Sequence, residues 1–197
     1  MKVLAIESSC DDTSFSVVSD DKSIDFIKTI NHRKFHKKHG GVIPEMAARQ
    51  HLDIMDYLQK SIKKFDFKKI DAIAATYGPG LIGGLIVGSS FAKGLSIARQ
   101  KKLIPVNHLQ AHLLSPRLTS NLSFPYLCLL VSGGNTALVI VKSPKKFVTL
   151  GSTIDDSAGE CFYKVSKALG LGYPSGPIIE KLALKGDRYK YNLPLPL

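Results

Sequence analysis

Residues 105–116, PVNHLQAHLLSP, place His108 and His112 four positions apart. If a helix starts near His108, both imidazoles share one face, with Cβ atoms roughly 5–6 Å apart. That separation suits chelation of a metal, and neutral imidazole suits zinc or iron. The competing use is a surface or capping role, because six histidines in 197 residues make such a pair unremarkable by itself. Zinc-protease chemistry is poorly supported. In an H-E-x-x-H helix a general-base Glu follows the first histidine, whereas here Leu109 follows His108 and Gln110 cannot act as a base.

The bulk numbers narrow the setting of such a site. A chain of 197 residues with 44% hydrophobic content can bury a proper core in one domain or a little more. The net charge of +11 favours a polyanionic partner. Lys28, Arg33, Lys34, Lys37 and Lys38 cluster, interleaved with His32, His36 and His39. This cluster reads either as a solvated loop or as a contact to a phosphate backbone. Cys10, Cys128 and Cys161 lie far apart and cannot all pair, which points to a reducing, cytoplasmic setting. The opening MKVLAIESSCDD has no long apolar run and turns acidic at once, so no signal peptide is expected. Residues 81–98 are apolar but carry four glycines, three serines and Lys93. Gly80, Gly84 and Gly88 recur every fourth position, the pattern of a helix that packs closely on a neighbour. A buried helix is expected there, and no membrane span.

The elements that must position these residues follow a repeated plan. KVLAIESS reads as a buried strand, TSFSVVS as an alternating one and DFIKTI as a third. Residues 44–65 carry Met46, Leu52, Met55, Leu58 and Ile62 at helical spacing, with Pro44 near the start. DAIAATYGPG is a strand entering a turn, the glycine-rich helix follows, and LIPVNH is a further strand. The pattern then restarts. YLCLLVSGGN reads as a buried strand, TALVIVK and KFVTLGSTI as two more, and SAGECFYKVSKALGL and PSGPIIEKLALKG as helices. A β-β-β-α plan written twice is that of the actin-like, sugar-kinase and Hsp70-like ATPases, an α/β class with ribonuclease H-like lobes. Residues 1–122 are expected to form the first lobe and 123–197 the start of a second, incomplete one. In such folds the turn after each first strand can aim backbone amides at phosphate, because small residues let the anion approach.

IESSCDDTS, HGGVIPEMAARQH, YGPGLIGGLIVG, VNHLQAH, LVSGGNT, DDSAGECF and GYPSGP occur in that order. Together they resemble the tRNA adenosine threonylcarbamoyltransferase family (TsaD, formerly Gcp or O-sialoglycoprotein endopeptidase), over essentially the whole chain. The resemblance implies transfer of a threonylcarbamoyl group from threonylcarbamoyl-AMP to the exocyclic amine of the adenosine beside the anticodon of tRNA. It implies that His108 and His112 hold one divalent ion, iron or zinc. Val131, Ser132, Gly133, Gly134 and Asn135 would face the acyl-adenylate, Gly176 would let the chain pass close to the nucleotide, and Glu180 would contact the ribose. Without the resemblance the glycines read as simple turn residues. Asp11 would be the catalytic or metal-orienting acid, with helix N-capping as its competing role. The implied partners are tRNA with a non-catalytic paralogue and a small P-loop ATPase in bacteria, or a kinase-containing complex in archaea and eukaryotes.

The sequence departs from the family at Gln110, where Glu is usual, and at Tyr163, where the family keeps a substrate-binding Asp. A third metal ligand, an Asp of the later family sequence, is expected beyond residue 197. Two rivals remain at this level. One is a truncated, inactive paralogue that serves as an interaction module, favoured by Tyr163. The other is a sugar or acetate kinase, which leaves the histidine pair unexplained.

Overall fold

The computed structural model describes residues 1–36, 41–62, 66–172 and 175–194, apart from the side chains of residues 33 and 34. The chain divides into two compact units, Met1–Tyr126 with Val141–Lys146, and Leu127–Ile140 with Phe147–Leu197.

The first unit is built on a five-stranded sheet. Strands β1 (Lys2–Glu7), β2 (Asp12–Ser19) and β3 (Ile24–Asn31) form an antiparallel meander. Strands β4 (Ala72–Gly78) and β5 (Lys102–Asn107) extend it in parallel from β1, in the order β3-β2-β1-β4-β5. A short α1 (Arg33–His36) and the long α2 (Pro44–Ile62) follow β3, and α3 (Ile82–Arg99) makes the β4-to-β5 crossover. Parallel neighbours require such a crossover. Strand side chains alternate between faces. Leu4, Ile6, Phe15 and Val17 therefore point to one side, where Met55, Leu58 and Ile62 of α2 and Ala92 of α3 close the core. Phe15 and Phe91 stack obliquely there, with ring centroids 5.5 Å apart. Beyond β5 lie α4 (His108–Leu114) and α5 (Pro116–Thr119).

The glycine spacing of residues 80–88 serves close packing inside this unit. A Cβ on Gly80 would lie 2.6 Å from the Ser9 carbonyl, and one on Gly84 would run into the Ser8 carbonyl. One on Gly88 would collide with Ser8 Oγ. With no side chains in the way, Ser8 Oγ donates to the Gly84 carbonyl at 2.9 Å and the Leu81 amide donates to the Ser9 carbonyl at 2.7 Å. The helix thus clamps the turn between β1 and β2. Among the described residues no helix is long and apolar enough to cross a membrane.

The second sheet has the order β6 (Tyr126–Val131), β7 (Thr136–Ser143), β8 (Lys146–Ser152). Its connections of four and two residues allow only antiparallel pairing. Helices α6 (Ala158–Ala168) and α7 (Ser175–Ala183) follow and pack on each other. The sequence of β6 reads as a fully buried strand, yet Leu127, Leu129 and Val131 are 60%, 65% and 54% exposed. Within this unit none of the described residues covers that face of β6.

Candidate functional site

The histidine pair is placed by a helix start. Asn107 closes β5, and its side chain accepts from the Gln110 amide at 3.0 Å, capping α4 so that His108 is its first residue. His108 and His112 are then one turn apart, and their Nε2 atoms approach to 3.2 Å with the rings edge to face. Two imidazole nitrogens bound ~2.0–2.1 Å from one tetrahedral ion sit roughly 3.3 Å apart. The observed separation fits two adjacent ligand positions. It also fits a hydrogen bond between two neutral rings, in which His112 Nε2–H donates to His108.

Glu7 sets which nitrogen of His108 is bare. His108 Nδ1 lies 3.4 Å from Glu7 Oε2 and 3.1 Å from Ser9 Oγ. The carboxylate can only accept, so the proton sits on Nδ1 and the Nε2 lone pair faces His112. A carboxylate behind a ligating imidazole is the usual support of a metal-binding histidine. Glu7 is itself fixed, accepting from the Ser9 amide at 2.6 Å and from the Thr76 hydroxyl. Burial pushes its carboxyl up, but the hydrogen bonds from His108, Ser9 and Thr76 outweigh this and bring it down to about 2. Burial, followed by the neighbouring His108, lowers His112, which favours the neutral form that binds metal. Among the described residues no cluster of three His, Cys, Asp or Glu side chains is grouped for one ion. The pair therefore presents two protein ligands.

An open cavity of about 650 Å³ adjoins the pair on the sheet face opposite α2 and α3, lined by Ala5, Glu7, Ser14, Thr76, Val106 and Leu118 among others. Its size is that of a small-molecule site. Asp11 stands two residues beyond Ser9 in the β1–β2 turn. It leads directly into β2.

In the second unit, Ser132–Asn135 form the β6–β7 turn. The Ser132 amide donates to the Asn135 carbonyl at 2.8 Å, and the Asn135 amide to Ser132 Oγ at 3.0 Å. The amides of Gly133 and Gly134 have no partner among the described residues, and both glycines are exposed. A pair of successive unpartnered amides is a feature of anion-binding turns. Ser157 caps α6, accepting from the Glu160 amide at 3.2 Å and donating to the Gly133 carbonyl at 2.8 Å. A Cβ on Gly159 would lie 2.7 Å from Gly133 Cα, so only glycine lets α6 begin this close to the turn. Gly176 and Glu180 stand one turn apart on α7. None of the described residues comes within 4 Å of a Cβ placed on Gly176.

Residues 37–39 of the basic cluster, with the side chains of Arg33 and Lys34, lie outside the described residues. Lys28 is already engaged: its ammonium donates to Tyr57 Oη at 3.0 Å and Ser61 Oγ at 3.2 Å, over the Tyr57 ring. His32 and His36, which read as part of a basic loop, are fully buried. Glu7, Ser157 and Gly159 were not singled out by sequence reasoning. The available signals were a charged residue closing a buried strand and a Ser-x-x-Glu capping box.

The similarity of this chain to known proteins covers both units. A family model described as "TsaD: tRNA N6-adenosine threonylcarbamoyltransferase" matches residues 26–197. A tRNA N6-adenosine threonylcarbamoyltransferase of Orientia tsutsugamushi (strain Boryong) is 50% identical over 200 residues, spanning 100% of this chain and 58% of that protein. The enzyme of the same name from Thermotoga neapolitana is 48% identical over 203 residues, spanning 100% of this chain and 61% of that protein. The chain thus spans about three fifths of these relatives' length. Among solved structures, a ROK family protein from Streptococcus pneumoniae TIGR4 in complex with sucrose aligns with a TM-score of 0.58 at 16% identity, covering 95% of this chain and 68% of that one. At that identity the likeness shows the fold, which is actin-like. The histidine pair, the SGGN turn and the match over residues 26–197 lead to one conclusion: the chain belongs to the tRNA N6-adenosine threonylcarbamoyltransferase family.

Proposed function

We propose that this chain carries the threonylcarbamoyl-transfer site of its family. In this reading it moves the threonylcarbamoyl group of threonylcarbamoyl-AMP to the exocyclic amine of the adenosine beside the anticodon. His108 and His112 hold one divalent ion, iron or zinc. The 3.2 Å convergence of their Nε2 atoms in front of Glu7 is the observation that carries the reading. When bound, the ion supplies Lewis-acid polarisation of the acyl donor. Glu7 keeps the proton of His108 on Nδ1, and Ser9 and Thr76 keep Glu7 in place. Val131 to Asn135 form the adenylate-facing turn, with the Gly133 and Gly134 amides directed at the phosphate. Gly176 lines the nucleotide and Glu180 takes ribose hydroxyls. Asp11 orients the reacting groups from the β1–β2 turn. Residues 1–122 act as the first lobe and 123–197 as part of the second, in the cytoplasm. The partners are tRNA and either a non-catalytic paralogue with a small P-loop ATPase or a kinase-containing complex.

Tyr163 on α6 favours a second reading, a non-catalytic interaction module, since it replaces a carboxylate that would accept ribose hydroxyls. Metal analysis of the purified chain after dialysis against zinc or iron(II) tests the site. Wild type should retain metal weakly, up to one ion per chain, and His108→Ala should retain none; equal content in both would end the metal assignment. Incubation with threonylcarbamoyl-AMP and unmodified tRNA, read by nucleoside mass, separates the transferase from the module.

A further inference from the structure

Beside the β1–β2 turn, three histidines are fully buried. His32 follows β3, His36 ends α1 and His51 lies on α2. Thr13 Oγ1 stands between two of them, 2.9 Å from His32 Nε2 and 2.7 Å from His51 Nδ1. The other nitrogen of His51, Nε2, lies 3.0 Å from the Cys10 carbonyl. The backbone amide of His32 donates to the Asp11 carbonyl at 2.9 Å. The carbonyls of Cys10 and Asp11, which flank the Asp11 peptide unit, are therefore both held from this cluster.

The hydrogens in the cluster can be assigned from one end. A carbonyl only accepts, so His51 Nε2 carries a proton. In a neutral His51 the Nδ1 atom must then accept, and the Thr13 hydroxyl supplies that hydrogen. The Thr13 oxygen in turn accepts from His32 Nε2–H. His32 Nδ1 is left bare, and this buried atom has no partner among the described residues. We propose that His51 is a positioning residue for Asp11, acting through a one-way run of hydrogen bonds from His32 through Thr13 and His51 to the Cys10 carbonyl.

Reversal of the run would need a doubly protonated His51. Burial lowers His51 and outweighs the opposing pull of the Cys10 carbonyl and of the Glu7 and Asp11 carboxylates, while His36 adds to the lowering. A cationic ring is disfavoured in such surroundings. His51 is also pinned from the far side, since a Cβ at Gly84 would lie 2.9 Å from its Nε2. The ring sits between the turn and α3 and transmits the position of both to Asp11. The consequence for catalysis rests on the reading of Asp11 as a substrate-facing acid. The direction of the hydrogen bonds does not.

The test uses the full 197-residue chain labelled with 15N-histidine. Long-range 1H–15N spectra near neutral pH should show His32 and His51 as neutral Nε2–H tautomers. In Thr13→Val, which keeps the shape and loses the hydroxyl, the His51 Nδ1 resonance should move to the position of an unbonded nitrogen. Thr13→Ser should restore it. A His51 that is cationic or Nδ1-protonated in wild type, or a Thr13→Ser spectrum like that of Thr13→Val, overturns the proposal. In the transfer assay Thr13→Val should lower kcat roughly 10–100-fold with KM little changed, and Thr13→Ser should recover it. If wild type itself transfers nothing, the transferase reading fails while the imidazole spectra still decide the relay.

Discussion

One helix offers the same substitution with opposite expected signs. Gly84 and Gly94 both lie inside α3, so replacing either with Ala gains helix propensity of about 0.5–1 kcal/mol. At Gly94 none of the described residues comes within 4 Å of the new methyl, and the gain is kept whole. At Gly84 the methyl meets the Ser8 carbonyl, a backbone atom that no rotamer change can move, and lies 2.9 Å from His51 Nε2. Overpacking of this kind costs about 1–3 kcal/mol, and here the upper part of that range applies because α3 must shift as a body. After the propensity gain, Gly84→Ala should lose about 1–2 kcal/mol. With a urea m-value of about 2 kcal/mol/M, its unfolding midpoint should fall by about 0.5–1 M, while that of Gly94→Ala rises by about 0.3–0.5 M. Far-UV circular dichroism across a urea series reads both. Midpoints that move in the same direction would refute the claim that α3 is seated directly on the β1–β2 turn.

Burial, then His51 and His36, hold His32 down to about 4, against an ordinary value of 6.5. A group with a depressed folded value binds fewer protons folded than unfolded between those limits. Stability should therefore be full above about pH 6.5 and fall by of order 2–3 kcal/mol as pH drops toward about 4. Urea midpoints across that window check it, and His32→Gln should flatten the curve. Gly159→Ala should detach the start of α6 from the SGGN turn and weaken acyl-adenylate binding; unaltered affinity by calorimetry would count against the turn as the adenylate contact. Replacing Lys34, Lys37 and Lys38 with Gln should weaken tRNA binding. It should also flatten its salt dependence by roughly 0.7–0.9 of a log unit per lost phosphate contact, whereas a merely solvated loop leaves that slope unchanged.

What the sequence determined by itself is local. Helical spacing and the offset of four put His108 and His112 on one face once a helix starts near His108, so the pair is legible without a structure. The same holds for the glycines at 80, 84 and 88, whose spacing announces a closely packed face before the neighbour is known. The repeated strand order pointed to the actin-like α/β fold for the same reason: side-chain period and turn chemistry are properties of short segments. Only the tertiary structure decided which partners those segments meet. Glu7 reaches His108 across 101 residues, and Thr13 joins His32 and His51 across 19 and 38. No short-range pattern encodes such contacts. His32 and His36 sit among lysines in the sequence and read as a basic surface loop, yet the fold turns them inward against β2 and α2. Burial is set by what packs on a residue from distant elements, and local composition is silent about that. The open face of β6 makes the same point in reverse, since YLCLLV has the composition of a core strand but only a covering layer can make it one.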